Sequence, residues 1–215
     1  MEDIVVEVWG DFACFSEPGA KVERLTYPFP TPSAARGILS SIYSKPAEFY
    51  WQVNQIDVLN PIQYISFKRN EVKCTVKDKV VFTDEERTQR QTVALKDVRY
   101  RIHASIVPRD SYRGREKQLY EQARRRIDSG KCFMQPALGL REFVAYFEHY
   151  DPQIHKSTPI DDSMDAGLML YDIFDLHDYE VRKKVRTKLS LFHAVMEKGI
   201  VKVPAYDSSE VLKGE

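Results

Sequence analysis

The chain has 215 residues, 43% of them hydrophobic and 30% charged, with 32 Lys and Arg against 32 Asp and Glu for a net charge of zero. A chain of this length buries roughly 70% of its unfolded surface, and the composition excludes a disordered tail, a collagen-like repeat and a membrane bundle. Balanced charge gives no whole-molecule pull toward nucleic acid or anionic lipid, so any such attraction has to come from local clustering.

The β-branched run Ile4-Val5-Val6-Glu7-Val8-Trp9-Gly10 predicts a first strand ending near Phe15, followed by a turn at Pro18-Gly19. Pro28, Pro30 and Pro32 hold the chain extended, and Thr31 or Ser33 then caps a helix over residues 34–43, stopped by Pro46. Ala35, Ile38, Leu39 and Ile42 recur at helical spacing. Strands follow over 49–59 and 62–76, and the Asn60-Pro61 turn signal between them favours a hairpin. Residues 77–91 are nearly all charged or polar, the composition of a solvated connection.

A strand over 92–107 alternates Tyr100, Ile102, Ala104 and Ile106 with Arg99, Arg101, His103 and Ser105, which predicts one packed face and one cationic face. Residues 115–129 read as a helix closed by Gly130. The pattern predicts an α+β, ferredoxin-like domain over 1–135, its antiparallel sheet covered by helices on one face and open on the other, where RNA-recognition folds take their ligand. Runs at 143–148, 168–176, 189–197 and 200–204, the last pair turned at Lys198-Gly199, predict a β-rich extension over 136–215. Asp161, Asp162, Asp165, Asp172, Asp175, Asp178 and Glu180 precede Arg182, Lys183, Lys184, Arg186 and Lys188, two blocks that largely cancel.

The densest basic stretch carries Arg109, Arg113, Arg115, Lys117, Arg124, Arg125, Arg126 and Lys131 against only Asp110, Glu116, Glu121 and Asp128. With Arg99, Arg101 and His103 it makes a surface suited to phosphates, because each phosphate neutralised by Lys or Arg releases condensed counterions. Nucleotide-binding loops, a nucleophile elbow and zinc-protease spacings are all missing, so nucleotide hydrolysis and dinucleotide redox chemistry are not expected. His149 and His155 with Asp161 and Asp162 match no zinc pattern, and no metal or other cofactor is expected. Cys14, Cys74 and Cys132 are too scattered for a zinc ribbon or a disulfide framework and read as reduced thiols. Acids follow Met1 where a secretory signal carries Lys or Arg, and no apolar stretch nears the ~20 residues of a membrane span. A cytoplasmic location without a membrane partner is expected.

Thr31-Pro32-Ser33-Ala34-Ala35-Arg36-Gly37-Ile38-Leu39, with Ile42-Tyr43, resembles the first helix of the type I-C CRISPR-associated Cas-five-d family. Leu59-Asn60-Pro61-Ile62, Leu95-Lys96-Asp97-Val98-Arg99-Tyr100, the run from Cys132-Phe133-Met134 through Gly139-Leu140-Arg141-Glu142-Phe143, and Ala194-Val195-Met196-Glu197-Lys198-Gly199 resemble the same family in the same order. The similarity runs over residues 5–204. It implies a RAMP-type endoribonuclease that cuts precursor CRISPR RNA (pre-crRNA) at the repeat hairpin without metal. The substrate's 2′-OH attacks the adjacent phosphate, leaving a 2′,3′-cyclic phosphate. The enzyme then stays on the crRNA 5′ handle beside other type I-C Cascade subunits.

The family's site pairs a tyrosine at the end of the first helix with a lysine-histidine dipeptide at the start of the second. Tyr43 and Lys117 match the tyrosine and the lysine, while Gln118 stands where many members have histidine, and an amide exchanges no proton near neutral pH. His103 is the stand-in acid or base. A Tyr43 phenolate would need a neighbouring cation such as Lys117. Arg99, Arg101, Arg113, Arg115, Arg124, Arg125, Arg126 and Arg141 are the expected RNA ligands. The competing expectations are a structural subunit that holds crRNA without cutting it, and duplex DNA binding through the same arginines.

Overall fold

The β-branched and alternating runs fold into strands, and the two capped amphipathic stretches into helices. The computed structural model describes residues 3–20, 23–72, 87–178 and 188–214. Strand β1 (Ile4–Ala13) leads to helix α1 (Pro32–Ile42), strands β2 (Phe49–Val58), β3 (Tyr64–Val72) and β4 (Arg87–Pro108), and helix α2 (Glu116–Asp128). Strands β5 (Tyr146–His149), β6 (Met164–Asp172), β7 (Ser190–Glu197), β8 (Ile200–Lys202) and β9 (Leu212–Lys213) follow. They form one antiparallel sheet in the order β5-β1-β4-β2-β8-β7-β6, with β3 also on β4 and β9 on β7.

The β5-β1-β4-β2 order, with α1 after β1 and α2 after β4, is the ferredoxin-like split βαβ arrangement. Strands β8, β7 and β6 extend that sheet from the free edge of β2. Strand β5 completes the first motif although it follows residue 135, so the four-stranded unit reaches past the 1–135 span. Among the described residues no helix is long and apolar enough to cross a membrane. Residues 73–76 of the 62–76 reading and 77–86 of the 77–91 reading, Cys74, Glu180 and the basic cluster Arg182, Lys183, Lys184 and Arg186 lie outside the described residues, while residues 87–91, expected as a solvated connection, already pair with β3 as the start of β4.

Helix α1 begins as the sequence demands. Thr31 Oγ1 accepts from the Ala34 amide at 3.1 Å, and Pro32 occupies the first helical position, where its missing N–H costs nothing. Ala35, Ile38, Leu39 and Ile42 face the core. In α2, Leu119, Ala123 and Ile127 form the buried stripe, and Gly130 (φ +62) ends the helix in the left-handed region.

Two expectations change. Asn60-Pro61 is not a hairpin turn: β2 and β3 lie end to end along the same edge of the 22-residue β4. The Leu59 amide reaches Arg99 O, the Lys96 amide reaches Gln63 O, and Asn60 Nδ2 donates to Asp97 O at 2.7 Å. Pro61, without an N–H, sits where the ladder is interrupted. The polar face of β4, secondly, is neither open nor freely cationic. Glu7 on β1 and Asp57 on β2 stand directly opposite Arg101. Glu7 accepts from Arg99 Nε at 2.5 Å and from Arg101 Nη2 at 3.0 Å, and Asp57 Oδ2 lies 3.0 Å from His103 Nε2 and 3.6 Å from Arg101 Nη1. The segment after β5 closes over this network: the Tyr150 ring sits 3.8 Å from the Arg101 guanidinium carbon, and Ser157 O accepts from Arg101 at 3.0 Å. A buried charge is tolerated only with such partners.

Gly139 shows how tightly the loop before β5 is seated on β1. Its φ is +87°, and a Cβ there would lie 1.9 Å from Cys14 O. Gly139→Ala combines left-handed strain with that overlap and is expected to cost on the order of 3 kcal/mol, lowering the thermal midpoint by roughly 6–12 °C. A variant melting with the wild type would show that the loop is not held this closely.

Candidate active site

Helix α1 stops at Tyr43, whose backbone turns extended (φ −145°, ψ 119°) while its amide still reaches Leu39 O. Three further contacts fix the residue. Trp51 Nε1 donates to Tyr43 O at 2.8 Å, the ring stacks on Phe49 at 5.3 Å between centroids, and the hydroxyl donates to Gln122 Oε1 on α2 at 2.7 Å. The ring is buried, and that burial raises the phenol above its ordinary pKa of 10.0, outweighing the cation of Lys45. Tyr43 is therefore a neutral phenol at physiological pH, and its hydroxyl proton is committed to Gln122.

The hydroxyl opens on a cleft of about 480 Å³ between the end of α1 and the last turns of α2. Lys45, Arg125, Arg126 and Lys131 line it with Gln122, Ser129 and Phe133, and among the described residues no carboxylate does. Arg126 is held in place, with Nε on Ile42 O at 2.8 Å and its guanidinium 4.2 Å over the Phe133 ring. Lys45 pairs with Glu48 at 3.0 Å. A phenol, an amide and four cations around one opening are suited to a phosphodiester, since fixed donors aimed at developing charge need not reorganise during reaction.

Of the expected residues, Tyr43, Arg125 and Arg126 meet in this cleft. Lys117 and Gln118 lie on the exposed first turn of α2 and do not line it; Gln118 Oε1 accepts from Arg115 Nε at 3.0 Å. Gln118 is one helical turn before Gln122, on the same side of α2. Arg124 turns to the other flank toward Asp128 at 3.7 Å, and Arg113 pairs with Asp110 at 2.7 Å in solvent. His103 projects from the sheet face opposite Tyr43: Trp51 pairs in register with Ile106, and its indole contacts Tyr43, while His103 on the other face is bound to Asp57. His103 and Tyr43 are therefore not brought together in this structure. Arg101, only 6% exposed, is bound to Glu7 and does not line the cleft. Arg99 shares Glu7 and Glu148. Arg141 is exposed on the Gly139 loop, against a separate cavity.

His149 and His155 pair with different carboxylates, Asp128 at 3.3 Å and Glu148 at 2.9 Å, not with Asp161 and Asp162. Among the described residues no group of His, Cys, Asp and Glu is arranged to hold a metal. Lys131, named in the basic stretch, also lines the cleft, whereas Gln122 and Lys45 were not singled out from the sequence. Lys45 stands two residues past Tyr43 and Gln122 one turn past Gln118, and those spacings were the available signal.

Residues 3–204 match the family described as CRISPR-associated protein (Cas_Cas5). A curated relative from Thermus thermophilus, described as CRISPR pre-crRNA endoribonuclease Cas5d, is 36% identical over 226 aligned residues, covering 100% of this chain and 97% of its own. A solved structure titled as a CRISPR-associated protein superposes with a TM-score of 0.68 at 21% identity, covering 98% of this chain and 96% of its own. A chain of a structure titled CRISPR RNA-guided surveillance complex superposes at 0.52 with 14% identity, covering 94% and 91%. At those identities the two structures establish the shared fold.

Proposed function

The chain belongs to the Cas5 family of CRISPR-associated proteins, and we propose on that basis that it cuts pre-crRNA at the repeat hairpin and keeps the crRNA 5′ handle as a Cascade subunit. The observation that carries this reading is the Tyr43 hydroxyl, held by Gln122 at the mouth of a cleft lined by four cations.

The cleavage is transesterification. The 2′-oxygen bonds to phosphorus, the P–O5′ bond breaks, the phosphate closes to a 2′,3′-cyclic diester, and O5′ takes up a proton as the 2′-OH loses one. Tyr43 keeps its proton and donates it in a hydrogen bond to Gln122 Oε1, so its oxygen presents lone pairs to the cleft and orients the 2′-OH as a hydrogen-bond acceptor. Arg125, Arg126 and Lys131 offset the charge that builds on the phosphorane oxygens. Lys117 and Gln118 stand outside the cleft lining at the exposed start of α2, where Lys117 adds a cation to the path of the RNA and Gln118, an amide in the place of a histidine, shuttles no proton. No metal takes part, and the 2′-OH requirement restricts the reaction to RNA.

The experiment uses a repeat hairpin in EDTA, with and without a single 2′-deoxy substitution at the cut site. Cleavage of the ribose form alone, ending in a 2′,3′-cyclic phosphate, is the expected result. Cutting of the deoxy form, or loss of cutting in EDTA, would reject the mechanism. One observation favours a second reading, a subunit that binds crRNA without cutting: no histidine lines the cleft, and the Gln118 carbonyl is already taken by Arg115. Tight binding of the ribose hairpin without scission selects that reading.

A further inference from the structure

A second cavity, of about 690 Å³, lies against the other side of α1 and is bounded by the 134–141 loop. Its walls are largely apolar, with Ala34, Gly37, Leu140 and Ile173 among them, and the hydroxyls of Ser16 and Ser33 and the exposed guanidinium of Arg141 supply polar groups. It is separated from the cationic cleft by a single ridge. The amides of Phe133 and Met134 both reach Ser41 O, pinning the ridge to the last turn of α1, and Phe133 lines the cleft while Met134 lines the second cavity.

From this geometry we propose that the second cavity receives one unpaired nucleobase of the same RNA whose phosphate occupies the Tyr43 cleft, with Phe133 as the stacking platform between them. The inference rests on the RNA-cutting reading. Phe133 is 62% exposed and Met134 66%, a large apolar step at the rim of a cation-rich cleft. Arg126 covers Phe133 at 4.2 Å, a cation–π contact that orients the ring at the rim. Bases stack on such platforms while the backbone follows the cations. An apolar slot next to a phosphate cleft, with a few polar groups at its edges, has the chemistry of a base pocket.

Gly37 supports the same occupant. It lies inside α1, where glycine weakens a helix relative to alanine. Its backbone does not take a positive φ, and a Cβ added there would meet nothing within 4 Å. Among the described residues no contact therefore requires glycine. The absent side chain leaves space in the wall of the cavity, where a planar ring can lie against the helix backbone.

The test uses an uncuttable repeat hairpin carrying the 2′-deoxy substitution, with 2-aminopurine placed in turn at each unpaired position beside the stem. One position is expected to change fluorescence on binding. Gly37→Leu, whose Cβ enters open space and whose branched end then extends into the cavity, is expected to abolish that change and weaken binding about 10-fold, as is Phe133→Ala. Gly37→Ala is expected to weaken both less than Gly37→Leu does, and to melt no lower than the wild type. A hairpin trimmed of its unpaired nucleotides should bind the wild type and Gly37→Leu equally. Unchanged affinity for the untrimmed RNA in both Gly37→Leu and Phe133→Ala would overturn the base pocket, and would leave the apolar rim to a protein neighbour. A wild type that binds neither hairpin would overturn the functional reading and the pocket with it.

Discussion

Tyr43→Phe is expected to lower the single-turnover cleavage rate by ~100-fold or more, while RNA affinity stays within about twofold. The substitution removes only the oxygen. The ring keeps its stack on Phe49, the backbone keeps its bonds to Leu39 and Trp51, and the cleft keeps its four cations. What is lost is the acceptor that orients the 2′-OH, and orientation acts in the reacting geometry more than in binding. Single-turnover kinetics on the repeat hairpin, with a parallel binding titration, separates the two. A rate within threefold of wild type would remove Tyr43 from the chemistry. Because burial raises the phenol above its usual range, the wild-type rate should show no Tyr43 ionisation step near neutral pH. A phenolate base would produce one.

Glu7→Ala is expected to cost about 3–5 kcal/mol of stability, a fall of roughly 6–20 °C in the thermal midpoint. Glu7 is fully buried and is the shared partner of Arg99 and Arg101. Without it Arg101, 6% exposed beneath Tyr150, keeps only Asp57 at 3.6 Å and the Ser157 carbonyl. Breaking a buried pair on one side strands the other charge, which is why the loss exceeds the worth of a surface ion pair. Thermal or urea unfolding of both proteins measures it. A variant within 1 °C of the wild type would show that Arg101 finds water or another partner.

The strands and helices were legible because their causes are local. The β-branched run at 4–10, the Thr31-Pro32 start, the Leu119, Ala123 and Ile127 stripe and the Lys198-Gly199 turn each carry their signal within a few residues. The turn adopts positive φ at both positions, 48° and 74°, as a two-residue hairpin requires. What stayed hidden depends on register. Arg99, Arg101 and His103 were correctly placed on one face of β4. Their neutralisation by Glu7 and Asp57, however, comes from strands 94 and 44 residues away in sequence. A carboxylate inside each of two apolar strands was the faint clue. The Asn60-Pro61 misreading has the same origin: the local signal marks a break in direction, and only pairing with β4 shows that the chain resumes along the same edge. At the site, family resemblance located Tyr43 at the end of α1. Gln122, Lys45 and Phe133 acquire meaning only when the loop after α2 packs against Ser41.

Strand β4 carries a mechanical consequence. Beyond Leu95, where β1 ends its pairing, β4 continues to Arg87 with only β3 fully beside it, an overhang of eight residues or roughly 26 Å at strand rise. A two-stranded ribbon anchored at one end works as a lever, and this one is braced partway along. Arg69 on β3 pairs with Glu142 and lies 5.4 Å over the Phe143 ring, both on the loop that also holds Gly139. That brace ties the overhang to the loop bordering the second cavity, so a load on the ribbon is carried to that loop and not only to the root of β4.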